Sequence, residues 1–188
     1  MRTLTEKKII NSFVSLLIQT DFYSLSVKSI VEHANINRST FYDYYYDKYD
    51  LWEKIEKDIS KNIQQQIKKD RDLWGDFWEE KSVHAMLNSN SIKLHSLEYI
   101  YENRNLLKIL FSNNAPQTLW NDLNLILKNK LKISEKISQD NFIDGNYIET
   151  LFILSITQPV LMWINESNPE TPENFFRSLL KMRLKVPC

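Results

Sequence analysis

The scarcity of glycine is the feature of this sequence that most restricts its fold. The 188 residues include only two glycines, Gly75 and Gly145, and five prolines. Tight β-hairpins need glycine or an Asn-Gly pair at positive φ, so a fold built from many hairpins is disfavoured. Phosphate-binding loops need several glycines close together, and these two lie far apart. The sequence therefore predicts an all-α fold and argues against P-loop and Rossmann enzymes.

The remaining composition narrows the class of protein further. Hydrophobic residues make up 43% of the chain, which is ample for a packed core. The N-terminus lacks the apolar run of a signal peptide, and Cys188 is the only cysteine, which suits a reducing compartment. The most apolar segment, 147–164, contains Glu149 and Pro159 and is too polar and short for a membrane span. We expect a cytoplasmic protein without a membrane partner.

No arrangement of residues predicts catalysis or metal binding. His33, His84 and His95 are dispersed, and no cysteine–histidine cluster has the spacing of a zinc site. We therefore expect no enzyme activity, no metal and no cofactor.

Apolar residues recur at helical spacing along the chain. A first helix is predicted from the capping-box spacing of Thr3 and Glu6 to about Thr20–Asp21. A long fourth helix is capped by Asp47 and is expected to fray in the polar run at 64–69. Further helices are predicted near 73–87, 91–111, 116–133, 146–165 and 172–184.

Two short helices are predicted between the first helix and the fourth. Ser26 is a suitable N-cap for one, and Asn37 for the other, which runs from Arg38 to about residue 45 with Phe41 inward. Asn35 suits the left-handed conformation of the tight turn between them. Such a pair fits a helix-turn-helix that reads the DNA major groove. On the residues alone, a helical hairpin with a polar solvent face is an equal alternative.

The amino-acid sequence of this region resembles the DNA-binding signature of TetR-family regulators. The resemblance lies in the runs SVKSIV at 26–31, ANINRSTFY at 34–42, YY at 44–45 and DKYDL at 47–51. It is specific over about 5–59 and only architectural beyond. It implies a three-helix DNA-binding domain at 1–50 and a helical regulatory and dimerisation domain at 51–188, linked by the fourth helix.

The resemblance also implies which residues meet double-stranded DNA. Ser26 and Lys28 would contact phosphates, as would Lys48, and the third helix would enter the groove. The full predicted set is Ser26, Lys28, Asn37, Arg38, Ser39, Thr40, Tyr42, Asp43 and Lys48. The chain departs from the family pattern at Asn35, Asp43 and Tyr46, where glycine, a neutral or basic residue, and lysine are more usual.

Charge in this region is balanced. Through residue 50, six basic residues are matched by six acidic ones. We therefore expect few phosphate contacts and a shallow dependence of DNA affinity on salt. Asp43 either accepts a hydrogen bond from cytosine or pairs with Arg38 or Lys48 and orients them, and we favour the pairing.

The second half is predicted to supply the dimer interface and a ligand site. The two C-terminal helices resemble those by which the family dimerises, and the predicted interface comprises Leu151, Ser155, Leu161, Trp163, Phe176, Leu179 and Leu180. Aromatic residues suit the wall of a small-molecule site, although a plain core is an open alternative. The predicted ligand set is Trp74, Phe77, Trp78, Tyr99, Phe111 and Trp120.

These features together predict a homodimeric transcription regulator that binds a palindromic operator. Its expected action is repression, released by a small hydrophobic ligand. Two alternatives stay open: control by a protein partner, in the manner of a coactivator, and a helical scaffold or enzyme that does not bind DNA.

Overall fold

The computed structural model describes residues 3–74, 80–112 and 145–185, with residues 116, 119, 123 and 125 between them. Every regular element in these residues is an α-helix, which confirms the predicted fold class. The predicted ligand-site residues Phe77, Trp78 and Trp120 lie outside this part of the chain, as does most of the helix predicted near 116–133. The helices are α1 (Leu4–Gln19), α2 (Val27–Ala34), α3 (Arg38–Tyr42), α4 (Lys48–Trp74), α5 (Glu80–Asn88), α6 (His95–Glu102), α7 (Arg104–Leu110), α8 (Gly145–Asn165) and α9 (Pro172–Lys185).

The chain divides into two compact units. The first unit comprises Met1–Lys61 and Asn105–Asp122, and the second comprises Asn62–Arg104 and Leu123–Cys188. Helix α4 begins in the first unit and ends in the second. The division of the protein at residue 50 into a DNA-binding and a regulatory domain stays a prediction.

Aromatic rings form the centre of the first unit. Phe13, Phe22 and Trp52 are buried, and each ring packs edge-to-face on the other two, with the Phe22 and Trp52 centroids 4.9 Å apart. Edge-to-face pairs add about 1 kcal/mol to the stabilisation from burial alone. Phe13 lies on α1 and Trp52 on α4, so this cluster fixes α4 against the first helix.

A stack of aromatic rings organises the second unit. Trp163 on α8 lies parallel to Phe175 on α9, with centroids 4.4 Å apart, and it also stacks on Tyr101 of α6. The indole N–H of Trp163 donates to the Glu170 carbonyl at 2.9 Å, so its polar atom is satisfied. The stack holds α6, α8 and α9 in one core.

Three predicted helix boundaries are wrong, and the first is that of α3, which was predicted to reach about residue 45 but ends at Tyr42. Helix α4 does not fray at residues 64–69 but continues to Trp74, because glutamine and lysine are good helix formers and Ile63 is buried on the opposite face. The single helix predicted near 91–111 is two helices, α6 and α7. Asn103 leaves the helical conformation at φ −100° and ψ 12°, and its side chain donates to the Tyr99 carbonyl.

The apolar segment 147–164 forms most of α8. Over the part of the chain that the structure describes, no helix combines the length and the apolar character needed to cross a lipid bilayer.

Candidate nucleic-acid interface

Helices α2 and α3 form a helix-turn-helix whose turn depends on Asn35. Asn35 has φ 51° and ψ 55°, the left-handed conformation that the sequence predicts. The next backbone N–H, that of Ile36, donates to the Val31 carbonyl at 3.1 Å and closes the end of α2. Ile36 is half-buried. The turn is therefore fixed by hydrogen bonds local to the sequence.

The start of α2 is fixed by a reciprocal pair of serines. The Ser29 N–H donates to the Ser26 hydroxyl at 3.1 Å, and the Ser26 N–H donates to the Ser29 hydroxyl at 3.3 Å. This capping box confirms the predicted N-cap. Ser26 and Lys28 are exposed at this end of the helix, as a phosphate contact requires.

The short α3 presents polar side chains around one buried anchor. Phe41 is fully buried and packs on Tyr45, whereas Arg38, Ser39, Tyr42 and the flanking Asn37 and Asp43 are exposed and Thr40 is half-buried. Asn37 occupies the N-cap position, but its side chain makes no capping hydrogen bond. The backbone N–H groups at the start of α3 therefore have no side-chain acceptor from Asn37.

Arg38 and Tyr42 form a pair on the exposed face of α3. The Nε and Nη2 atoms of Arg38 donate to the Tyr42 hydroxyl at 3.3 and 3.1 Å. The two residues are four apart, so they lie one above the other on the helix. The pair orders the guanidinium, which is the group best suited to bidentate recognition of guanine.

Lys48 stabilises the connection between α1 and α2 through hydrogen bonds. Its ammonium donates to the carbonyls of Phe22, Tyr23 and Leu25 at 3.0, 2.8 and 2.7 Å. An ammonium has three donors, and all three are used. A phosphate contact by Lys48 stays a prediction, but in this conformation its donors hold the protein's own backbone.

Lys54 and Asp50 fasten the other connection, between α3 and α4. Lys54 donates to the Tyr44 carbonyl at 2.9 Å and to the Asp50 carboxylate at 3.0 Å. Asp50 also accepts from the Tyr46 N–H at 2.9 Å. Sequence reasoning missed Lys54, although its position four residues after Asp50 is the signal of an ion pair on a helix.

Several lysines of this unit lie beside acidic residues or backbone carbonyls. Lys28 lies 3.9 Å from Glu32 and Lys57 lies 2.6 Å from Glu53, in addition to the engaged Lys48 and Lys54. Burial raises the pKa of Asp50, but the Tyr46 N–H and the Lys54 ammonium outweigh it and hold that pKa below its ordinary value. Asp50 is therefore a carboxylate at neutral pH, and its charge offsets that of Lys54.

Asp43 does not pair with Arg38 or Lys48, contrary to the interpretation we favoured. Arg38 is engaged by Tyr42, and Lys48 by backbone carbonyls. Within the described ranges the Asp43 carboxylate has no hydrogen-bond or ion-pair partner, and the residue is exposed. A base contact by Asp43 stays a prediction.

The residues predicted for the dimer interface fall into two groups. Trp163 and Leu180 are buried in the core of the second unit, so their side chains are already covered. Leu151 and Ser155 are exposed, and Leu161, Phe176 and Leu179 are half-buried. The exposed part of α8 carries an apolar stripe formed by Tyr147, Leu151, Leu154 and Met162, at successive steps of four, three and eight residues.

Three of the predicted ligand residues, Trp74, Tyr99 and Phe111, lie in the described chain. Trp74 and Tyr99 are half-buried in the second unit, where the Trp74 indole donates to the Lys93 carbonyl at 3.1 Å, and Phe111 is half-buried in the first. A groove of about 580 Å³ lies in the first unit between Leu17–Phe22 and the segment 105–112, where Asn105, Lys108, Ile109 and Ser112 line it. None of the described ligand candidates lines this groove. Over the same residues, no three histidine, cysteine or acidic side chains are placed to hold a metal ion.

Both halves of the chain match the sequence models of known protein families. The family model described as "Bacterial regulatory proteins, tetR family" matches residues 9–55, and the model described as "Transcriptional regulator C-terminal region" matches residues 88–184. The HTH-type transcriptional regulator YxbF of Bacillus subtilis (strain 168) is 23% identical over 172 residues, which are 89% of this chain and 42% of YxbF. The chain thus spans less than half the length of that relative.

Solved structures share the fold. The transcriptional regulator FadR of Bacillus subtilis, in complex with stearoyl-CoA, superposes with a TM-score of 0.58 at 16% identity, covering 97% of this chain and 99% of FadR. The dihydroxyacetone kinase operon activator DhaS gives a TM-score of 0.56 at 16% identity, covering 96% of this chain and 94% of DhaS. With the helix-turn-helix at 26–42 and both family models matched, this chain belongs to the TetR family of transcriptional regulators, whose members bind DNA and are not enzymes.

Proposed function

We propose that the protein is a homodimeric repressor that binds a palindromic operator in the bacterial cytoplasm. The observation that carries this proposal is the exposed polar face of α3, which is supported from inside by Phe41 and at its connection to α4 by Lys54. A helix held this firmly can enter the major groove without first being ordered, which lowers the cost of binding. The residues proposed to contact DNA are those predicted from the sequence. Lys48 is proposed to act indirectly, by holding the backbone of the α1–α2 connection in place.

Dimerisation is proposed to use the exposed stripe of α8 together with α9. Tyr147, Leu151, Leu154 and Met162 are spaced so that they follow one side of the helix, and an apolar stripe of this kind is stabilised when a second copy covers it. Trp163 and Leu180 are left out of this surface because they are buried in their own unit. Two copies would present two recognition helices to two half-sites.

Release by a small hydrophobic ligand is the proposed mode of control. FadR, a structural neighbour, binds stearoyl-CoA, and this supports an acyl compound as the first class to test. A ligand can shift the protein from the DNA-binding conformation only if it binds the other conformation more tightly. The neighbour DhaS is an operon activator, and this supports activation as the second candidate function, for which we keep control by a protein partner as the proposed mode.

The two candidates are separated by one binding experiment on an operator selected with the purified protein. A fluorescent operator is titrated with protein, and the complex is then challenged with long-chain acyl-CoA or with a lysate depleted of small molecules. Repression released by a ligand predicts a fall in anisotropy with acyl-CoA alone. A fall with the lysate alone would contradict it and favour control by a protein. Arg38→Ala, whose side chain is exposed, serves as the variant that should not bind the operator.

A further inference from the structure

Tyr46 is the most exposed large aromatic or apolar side chain in the described chain. Its exposed fraction is 88%, and no aromatic contact involves its ring in that part of the molecule. Its backbone is nevertheless fixed, because the Tyr46 N–H donates to the Asp50 carboxylate at 2.9 Å. Tyr46 therefore presents a phenol from a rigid position between α3 and α4.

The hydroxyl groups of the neighbouring tyrosines form hydrogen bonds within the protein, whereas that of Tyr46 forms none in the described chain. The Tyr44 hydroxyl accepts from Thr3 at 3.1 Å, and the Tyr45 hydroxyl donates to Glu6 at 3.4 Å. The Tyr42 hydroxyl accepts from Arg38. The Tyr46 hydroxyl has no hydrogen-bond partner among the residues that the structure describes. Of the four tyrosines that follow Phe41, it is the one whose hydroxyl can bind another molecule without breaking a hydrogen bond within the described chain.

The surroundings of Tyr46 favour a neutral donor for DNA. The three ammonium donors of Lys48 bind backbone carbonyls, and Lys54 binds the Tyr44 carbonyl and the Asp50 carboxylate. The two lysines nearest to Tyr46 in the sequence are therefore already bound within the protein. Tyrosine hydroxyls are among the common donors to DNA phosphate oxygens. The major groove is about 12 Å wide. Tyr46 follows the last residue of α3 by four positions, so it lies at the end of the helix that is proposed to occupy the groove.

We infer that the Tyr46 hydroxyl donates a hydrogen bond to an operator phosphate and serves as an uncharged anchor for the recognition helix. The inference rests on the proposed DNA binding by α3. It gives a physical account of how a charge-balanced helix-turn-helix holds DNA, because a phenol binds phosphate without displacing a condensed counterion. Tyr46 thus adds affinity that salt does not screen.

The test measures operator affinity across a series of salt concentrations for wild-type protein, Tyr46→Phe and Tyr46→Lys. Tyr46→Phe removes only the hydroxyl and should weaken binding about tenfold with the salt slope unchanged. Tyr46→Lys should restore affinity at low salt and steepen the slope by about one unit for each protomer bound. Tyr49→Phe is the matched control, since that exposed ring packs on Phe22, and its affinity should equal that of the wild type.

Three outcomes would overturn the inference. Equal operator affinity of Tyr46→Phe and the wild type would remove the hydroxyl from the interface. A loss with a changed salt slope would show that the contact is not a neutral one, and a lowered melting temperature of Tyr46→Phe would show that the loss comes from folding. Failure of the wild type itself to bind any DNA is a different result, since it refutes the proposed function.

Discussion

At the scale of single residues, some features of the helix-turn-helix depend only on neighbours in the sequence. Others depend on residues that lie far away along the chain. The caps at Thr3, Ser26 and Asp47 and the left-handed Asn35 are predictable, because each uses partners within four or five residues. The role of Lys48 is not predictable in this way, since its carbonyl partners lie 23–26 residues earlier. The family resemblance implies a phosphate contact there, whereas the folded chain surrounds the ammonium with acceptors.

Lys48→Met should therefore lower the stability of the protein. The substitution removes three charge-assisted hydrogen bonds from the α1–α2 connection, and we expect a loss of about 2 kcal/mol in the free energy of unfolding. Chemical denaturation followed by circular dichroism measures it. Lys28→Met is the matched control, because the Lys28 side chain is 76% exposed and its one ion pair is long. Equal stability of the two variants would refute the structural role of Lys48.

Asp50 gives a prediction about pH. Its folded-state pKa lies below its ordinary value of 3.8, so its stabilising contribution is complete above that value and is lost as the pH falls through the folded pKa. Asp50→Asn should lower the melting temperature at about pH 6, and its difference from the wild type should shrink below pH 3.8. Asp43→Asn, which has no partner to lose, should match the wild type throughout. A deficit in Asp50→Asn that is constant with pH would contradict this account.

At the scale of helices, α4 uses buried carboxylates to hold later segments of the chain. In the first unit, Glu56 accepts from the Leu119 N–H at 3.0 Å. In the second unit, Asp70 is fully buried and accepts from the backbone N–H groups of His95 and Ser96, and from the His95 ring. Asp70 therefore caps the start of α6. The only sequence signal of such a cap is an acidic residue on the apolar stripe of a predicted helix. The backbone groups that it binds cannot be predicted from the sequence, because they lie far along the chain.

Removal of the Asp70 carboxylate should destabilise the second unit strongly. Asp70→Ala leaves two backbone donors at the start of α6 buried without an acceptor, and we expect a cost of about 3 kcal/mol. Asp72→Ala, an exposed neighbour on the same helix, should cost less than about 0.5 kcal/mol. Urea denaturation of both variants measures the difference. The interpretation fails if their midpoints coincide.

At the scale of the whole molecule, the scarcity of glycine was enough to predict the fold class, and local signals were enough to predict where most helices begin. Two further properties were harder to predict. Trp163 and Leu180 look like interface residues in an apolar helix, but they belong to the core of their own unit. Apolar periodicity identifies a buried face, yet it does not distinguish burial by the same chain from burial by a second one.

The proposed dimer makes a prediction about Leu151, which is 65% exposed at the middle of the α8 stripe. Leu151→Glu would place two carboxylates in a two-fold interface, so we expect dissociation into monomers. Sedimentation velocity measures the mass in solution. Leu4→Glu, an exposed leucine of α1, should remain dimeric. A dimer that persists in Leu151→Glu would place the interface elsewhere.

The central claim, that α3 of a dimer reads DNA, is tested most directly by selecting bound duplexes from randomised DNA with the purified protein. We predict enrichment of a palindrome whose half-sites lie about one helical turn, roughly 34–36 Å, apart. The same selection with Arg38→Ala should lose the consensus, since the exposed guanidinium is the best placed base-reading group on α3. No enrichment by the wild-type protein at low salt, or a consensus unchanged in Arg38→Ala, would contradict the claim.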